Sequence, residues 1–177
     1  MKNIKKLIIS CVIASTSLTT FAYDNADKLE ESSYTIYLVR HAEKQIIAGE
    51  RNPELTQCGI KRAEQLASIL DNVNLVNVYS TSYKRTMATA EPTAQQKHLT
   101  IKNYDPRELT TIATQLISEK KNALVVGHSN TTPQLTELLS KQAVKGLTEL
   151  EFQELYQVQI TANERILTRL KQPLECQ

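Results

Sequence analysis

Three short polar stretches hold the residue types that can do chemistry: Arg40-His41, Ser82 to Arg85, and Gly127-His128-Ser129. Each follows an apolar run that reads as a β-strand, so each is expected at a strand's carboxyl end, close to the start of a helix. Cationic donors beside helix N-termini suit an anion such as phosphate, because the helix end adds its own partial positive charge. Arginine matches phosphate oxygens best, since its planar fork donates bidentately. Neutral imidazole is a competent nucleophile near pH 7, and nearby arginines lower its pKa and keep it neutral. Together these groups point to a site that binds an anion such as phosphate and holds a histidine able to act as a nucleophile. His98 follows Gln95-Gln96-Lys97 at a polar helix end and reads as solvated surface.

The elements that must position these groups alternate. Tyr34 to Lys44 (YTIYLVRHAEK) begins as a buried strand and stops abruptly at charge, the pattern of a central parallel strand. Gln45 to Pro53 is a loop. Thr56 is an N-cap candidate for a helix that buries Ile60, Ala63, Leu66, Ala67 and Leu70. Leu75 to Tyr79 is a second strand. Ser82 then caps a helix with Met87, Ala90 and Ala94 inward and a kink at Pro92. A short strand spans Leu99 to Tyr104. Asp105-Pro106-Arg107-Glu108 reads as a capping box opening a third helix, with Leu109, Ile112, Leu116 and Ile117 buried. Ala123 to Val126 is an apolar strand followed by a helix capped by Thr131 or Thr132. Leu155 to Ile160 and Arg165 to Leu170 form a hairpin through Ala162-Asn163-Glu164. The sum is an α/β domain: a three-layer α/β/α sandwich with a mainly parallel central sheet and a C-terminal β-hairpin.

The ends set the compartment. Lys2, Lys5 and Lys6 precede the apolar run Leu7 to Ala14, and Thr20-Phe21-Ala22 offers a small-residue cleavage site, so residues 1–22 read as a signal peptide. Residues 23–33 are a polar, flexible leader, and residues 34–177 form a single domain. The 177-residue precursor has 21 basic and 19 acidic residues. Removing the signal leaves 155 residues with 18 basic and 19 acidic side chains, a net charge of −1. That gives no electrostatic case for a nucleic-acid or membrane-surface partner. No apolar run reaches the roughly 20 residues of a spanning helix. Cys11 leaves with the signal; Cys58 and Cys176 remain, and in an oxidising compartment they are candidates for a disulfide. The expected location is the periplasm.

Leu38-Val39-Arg40-His41-Ala42-Glu43 resembles the signature of the histidine phosphatase superfamily, the phosphoglycerate-mutase-like proteins. The likeness continues through Leu55-Thr56 with Gly59, Tyr79 to Ser82 with Lys84-Arg85-Thr86 and Thr89-Ala90, and Gly127 to Asn130. The short loops suggest the small branch, with an open pocket. The resemblance implies that His41 becomes phosphohistidine while Arg40, Arg85 and His128 hold the transferring oxygens, with Ser129 beside them. It implies no metal and no cofactor. Members that protonate the leaving group place an acid after the strand that follows the second arginine, which makes Asp105 the candidate and Glu108 the next; both also have a capping role. Glu43 is expected to orient its neighbours, and Asn52 and Thr56 to line the pocket. The expected activity is a phosphomonoester phosphatase acting on an exported phosphorylated compound such as an envelope sugar phosphate. A phosphohistidine or phosphoprotein phosphatase and a non-catalytic phosphate-binding protein are the alternatives. A serine hydrolase is excluded, because Gly127-His128-Ser129-Asn130-Thr131 lacks the second glycine and no histidine follows Ser129. Two histidines among arginines repel a cation, which disfavours a metal site.

Overall fold

The structure is a computed structural model and describes residues 33–175. The expected signal peptide, nearly all of the leader, and Cys176 lie outside the described residues. The order is β1 (Tyr34–Arg40), α1 (Gln57–Ile69), β2 (Asn77–Ser80), α2 (Lys84–Gln96), β3 (Ile101–Asn103), α3 (Leu109–Glu119), β4 (Ala123–Gly127), α4 (Thr131–Ser140), β5 (Glu154–Ile160) and β6 (Arg165–Lys171). The strands form one sheet in the order β3-β2-β4-β1-β5-β6. The first four in that order are mutually parallel, and β5 and β6 pair antiparallel.

Strand alternation assigns the two faces. Ile36, Leu38, Val125 and Val158 face α3 and α4, meeting Ile112, Leu116, Leu135 and Leu139. Val39, Leu124, Val126 and Leu155 point the other way, onto Leu66 and Leu70 of α1 and Ala90 and Ala94 of α2. Successive side chains of a strand project to opposite faces, so a strand covered on both sides is apolar nearly throughout, as β4 is and as β1 is from Ile36 to Val39. The result is the expected three-layer sandwich. From β1 the chain crosses to the β2 side through α1 on one face. From β4 it returns past β1 to β5 through α4 on the other face. Neighbouring strands whose connections leave in opposite directions open a crevice at their carboxyl ends, where ligands of α/β sheets sit. Arg40-His41 and Gly127-His128 stand at that crevice.

Several local expectations shift. Thr56 does cap α1, accepting the Gly59 amide at 3.0 Å, but Ile60 is exposed and Arg62 takes a buried place on that helix. Ser82 does not cap α2: the N-cap is Tyr83 without a side-chain bond, and the Lys84 amide donates to Asn52 Oδ1 from the distant 50s loop. The cap is therefore supplied by tertiary structure. The α2 helix runs unbroken through Pro92. The capping box at Asp105–Glu108 does not form, because Asp105 Oδ1 accepts the Arg107 amide in a local turn and α3 starts at Leu109. Neither Thr131 nor Thr132 is the N-cap of α4, which is Asn130; Thr131 Oγ1 instead accepts the His128 amide.

The segment after β1 is fixed by two devices. Glu43 grips buried Arg62 through Nε and Nη2 at 2.6–2.9 Å. Its carbonyl accepts the Thr56 amide at 2.8 Å, directly over Gly59, where an added Cβ would lie 2.3 Å from that oxygen. Only glycine allows this approach. Cys58 is disulfide-bonded, and the Leu174 amide donates to Gln65 of the same helix at 3.1 Å. Gly59→Ala is expected to destabilise the protein by about 1–3 kcal/mol through overpacking, read as a lowered urea midpoint at unchanged slope.

Candidate functional site

The His41 amide donates to the Gly127 carbonyl at 2.9 Å, extending the β1–β4 ladder by one rung past Arg40 opposite Gly127. This brings the two histidine rings to a 5.6 Å edge-on separation. Helix α2 is tied to the same point: Thr89 Oγ1 accepts the Ala42 amide at 2.9 Å and donates to the Arg85 carbonyl at 2.7 Å. Arg40, His41, Arg85, His128 and Ser129 thus line one cleft of about 350 Å³.

His41 is 3% exposed. Its Nδ1 lies 2.8 Å from the Ala42 carbonyl. A carbonyl can only accept, so Nδ1 carries the proton and Nε2 keeps its lone pair. Burial is the main reason its pKa falls to about 3, with Arg40, Arg85 and His128 adding repulsion. His128 is held down to about 4 by burial first and then by the two arginines. Desolvation thus exceeds the arginine effect that sequence reasoning put first. His128 Nε2 is 3.0 Å from Thr81 Oγ1, which meets Thr86 Oγ1 at 2.8 Å. Thr86 also faces the carbonyls of Thr81 and Tyr83. Its one proton goes to a carbonyl, so Thr81 donates to Thr86, and His128 Nε2 is assigned as donor to Thr81.

Arg40 is 2% exposed. Nη1 donates to the Thr148 and Glu151 carbonyls at 2.8 and 3.2 Å, Nη2 to Glu149 Oε2 at 3.0 Å, and the guanidinium lies 4.1 Å from the Phe152 ring centroid. Its buried Nε–H has no partner among the described residues, and neither does that of Arg85. Arg85 stacks on Tyr83 at 4.5 Å and reaches the Arg51 carbonyl through Nη1 at 3.4 Å. Two unspent guanidinium donors in one cleft are suited to an anion.

The other expected site residues divide. Ser129 lines the cleft, but its hydroxyl donates to Glu149 Oε1 at 2.8 Å and so is not free to donate to a ligand. Asp105 lies outside the cleft lining, in a neighbouring hollow with Ser82 and Tyr104. Its carboxylate binds Arg107 at 2.6 Å, which holds its pKa near 2. It is ionised at neutral pH and not poised to give a proton. Glu108 only precedes α3. Asn52 holds the start of α2, Thr56 caps α1 and Glu43 pairs with Arg62, so all three act on the scaffold. Sequence reasoning missed Thr81, Tyr83, Glu149 and Phe152. Tyr83 stands inside the Ser82–Arg85 cluster and stacks on His128 at 5.0 Å; an aromatic before the arginine was a usable signal. Glu149 and Phe152 sit in a loop without a motif. Among the described residues no group of three or more His, Cys, Asp or Glu could hold a metal ion.

Both rings are neutral in the folded chain, whereas an unfolded histidine titrates near 6.5. Below about pH 6.5 the unfolded chain takes up protons the folded chain refuses. Stability is therefore full above that pH and falls on acidification through the window down to about pH 4 for His128 and 3 for His41. The slope is expected to approach about 1.4 kcal/mol per pH unit for each ring. Urea titrations from pH 8 to 4.5 read it, and His128→Asn should remove about half.

Residues 36–108 match the model described as histidine phosphatase superfamily (branch 1). A Schizosaccharomyces pombe protein named as a probable phosphatase is 43% identical over 67 residues, 34% of this chain, and the match spans about a quarter (24%) of that relative's length. The solved structure of the protein histidine phosphatase SixA complexed with tungstate superposes with a TM-score of 0.64 at 14% identity, covering 77% of this chain and 96% of that one. The alpha-ribazole phosphatase from Shigella flexneri gives 0.64 at 15% identity over 77% and 96% of the two chains. A mycobacterial glucosyl-3-phosphoglycerate phosphatase gives 0.59 at 12% identity over 81% and 100%. At these identities the structures speak for the fold, and the matched segment holds Arg40, His41 and Arg85. On that segment, less than half of the chain, the sequence is similar to the histidine phosphatase superfamily, and the fold is of the same kind.

Proposed function

We propose that the chain is a phosphomonoester phosphatase that works through a phosphohistidine on His41. The observation that carries this reading is a buried, neutral His41 whose Nδ1 proton is held by the Ala42 carbonyl, beside two guanidinium groups with unspent Nε–H donors. His41 Nε2 attacks phosphorus, the P–N bond forms and the P–O bond to the leaving group breaks. Arg40, Arg85 and His128 surround the phosphoryl oxygens, with charge stabilised by dipoles and cations already in place. The phosphorylated ring is more acidic at Nδ1, and the Ala42 carbonyl then accepts a stronger hydrogen bond. Water hydrolyses the P–N bond and returns neutral His41. No step calls for a metal or cofactor.

The substrate follows from what the cleft lacks. Asp105 is bound to Arg107, and the Glu149 pKa is lowered, first by Ser129, so both carboxylates are ionised. A leaving group of low basicity departs without an acid, which favours aryl, acyl and phosphoramidate substrates over simple alkyl esters. That observation supports a phosphohistidine or phosphoprotein phosphatase as the second reading. An export signal, a periplasmic location and a Cys58–Cys176 pair belong to the same proposal. A disulfide-bonded Cys58, with Leu174 against the same helix, supports them. An exported phosphoprotein, or a sugar phosphate whose leaving oxygen is the less basic anomeric one, is then the natural substrate class.

The test is phosphate release by the chain from Tyr23 onward, with EDTA, across aryl phosphates of graded leaving-group pKa. Wild type is expected to turn over with a steep leaving-group dependence. Losses should be about 10³-fold or more in His41→Ala and about 10²-fold in Arg85→Ala. Radiolabel trapped on His41, stable to alkali and lost in acid, identifies the intermediate. Tight phosphate binding without turnover on any member would make the chain a binding protein instead.

A further inference from the structure

The rim of the cleft carries large aliphatic side chains turned to solvent. Ile46 is 96% exposed, Leu150 87% and Ile47 53%. Scattered exposed aliphatics are ordinary, but aliphatics gathered at the mouth of a site mark something they contact. These come from two loops: Ile46 and Ile47 from the segment after β1, and Leu150 from the 148–152 loop that holds Arg40. Between the loops lies a recess of about 270 Å³ lined by Glu43, Lys44, Ile46, Glu149, Leu150 and Phe152. The two carboxylates do not make it polar in effect, since Glu43 is bound to Arg62 and Glu149 to Arg40 and Ser129. Their stems line the wall, and Leu150, Ile46 and Phe152 supply the apolar surface.

The recess adjoins the phosphate cleft, since Lys44 and Glu149 line both. Phe152 separates it from the nucleophile, with its ring 6.2 Å from that of His41. A molecule whose phosphate sits against Arg40 and Arg85 therefore has an apolar wall within one side-chain width of it. A protein partner would need about 800 Å² of surface on each side. A recess of this size suits instead a few methylene groups attached to the anion itself.

We propose that this recess receives an aliphatic portion of the substrate, so that the ligand is an amphiphilic phosphate: an anion joined to a hydrocarbon chain through a leaving group of low basicity, as in an acyl phosphate. The proposal rests on the phosphate-binding reading of the cleft but not on turnover. The chain enters between Ile46 and Leu150 and runs over Phe152. Lys44 stands where the two chambers meet and balances the charge of the head group.

The experiment uses n-alkylphosphonates from methyl to octyl, which cannot be hydrolysed, as competitors of p-nitrophenyl phosphate turnover, and as calorimetric titrants of the same protein. The inhibition constant is expected to fall about fourfold for each methylene that enters the recess, the equivalent of about 0.8 kcal/mol, and to level off once the recess is full. Ile46→Ser and Leu150→Ser should flatten the series. A constant that does not change with chain length overturns the proposal, as does a series that persists undiminished in both variants. Binding to phosphatidylcholine vesicles without phosphonate would assign the rim to a membrane. Concentration-dependent dimerisation lost in Leu150→Ser would assign it to a second copy. Either result overturns it too. If turnover is absent but calorimetry shows the chain-length series, the recess stands and the phosphatase reading falls.

Discussion

A guanidinium buried at the end of the central strand is the constraint around which the site is arranged. Arg40 sits beneath the 148–152 segment, and the positive charge survives there because two backbone carbonyls, a carboxylate and an aromatic face replace its water. Removing such partners from a buried charge costs about 3–5 kcal/mol. The loop is consequently ordered by the arginine as much as the arginine is held by the loop.

That cation, with Arg85, also adds to the burial that keeps the histidines neutral. A dry pocket already disfavours imidazolium, and two guanidinium groups add to the effect. The pocket therefore holds positive potential while both imidazoles stay neutral. Such a site is complementary to an anion and keeps His41 Nε2 unprotonated. Glu149 tempers the potential: it is the anion Arg40 meets when nothing else is bound. It also shares a wall with the aliphatic recess, so the loop that grips the arginine borders both chambers.

The sheet and the central constellation were legible because they follow from local rules. Ile36, Leu38 and Val39 need cover on both faces, and the change from apolar residues to Arg40-His41 marks where the strand leaves the core. Gly127-His128 repeats that change on β4, and pairing the two strands does the rest. What was hidden depends on tertiary partners. Ser82 looks like a cap, but Asn52, 32 residues away, reaches the Lys84 amide first. Asp105-Pro106-Arg107-Glu108 looks like a capping box, yet a salt bridge two residues long wins the carboxylate. Nothing local to Arg62 marks it as buried, and its partner Glu43 lies 19 residues away. Glu149 and Phe152 could not be foreseen, since nothing in their own stretch reveals that Arg40 lies below them.

The strand order has a consequence for how the molecule comes into being. The strand that ends in Arg40 is the first described element of the chain, yet its register sets Ile36 opposite Ala123 and Tyr37 opposite Gln157. None of the early strands is its neighbour. Until most of the chain is available, β1 has no hydrogen-bonding partner and keeps an apolar run unpaired. Long loops must close before those contacts form, which slows folding and lengthens the time a sticky segment waits. The strand that leads into His41 is made early and settled late, so a partly made chain contains every atom of His41 without the partners that bury it and keep it neutral.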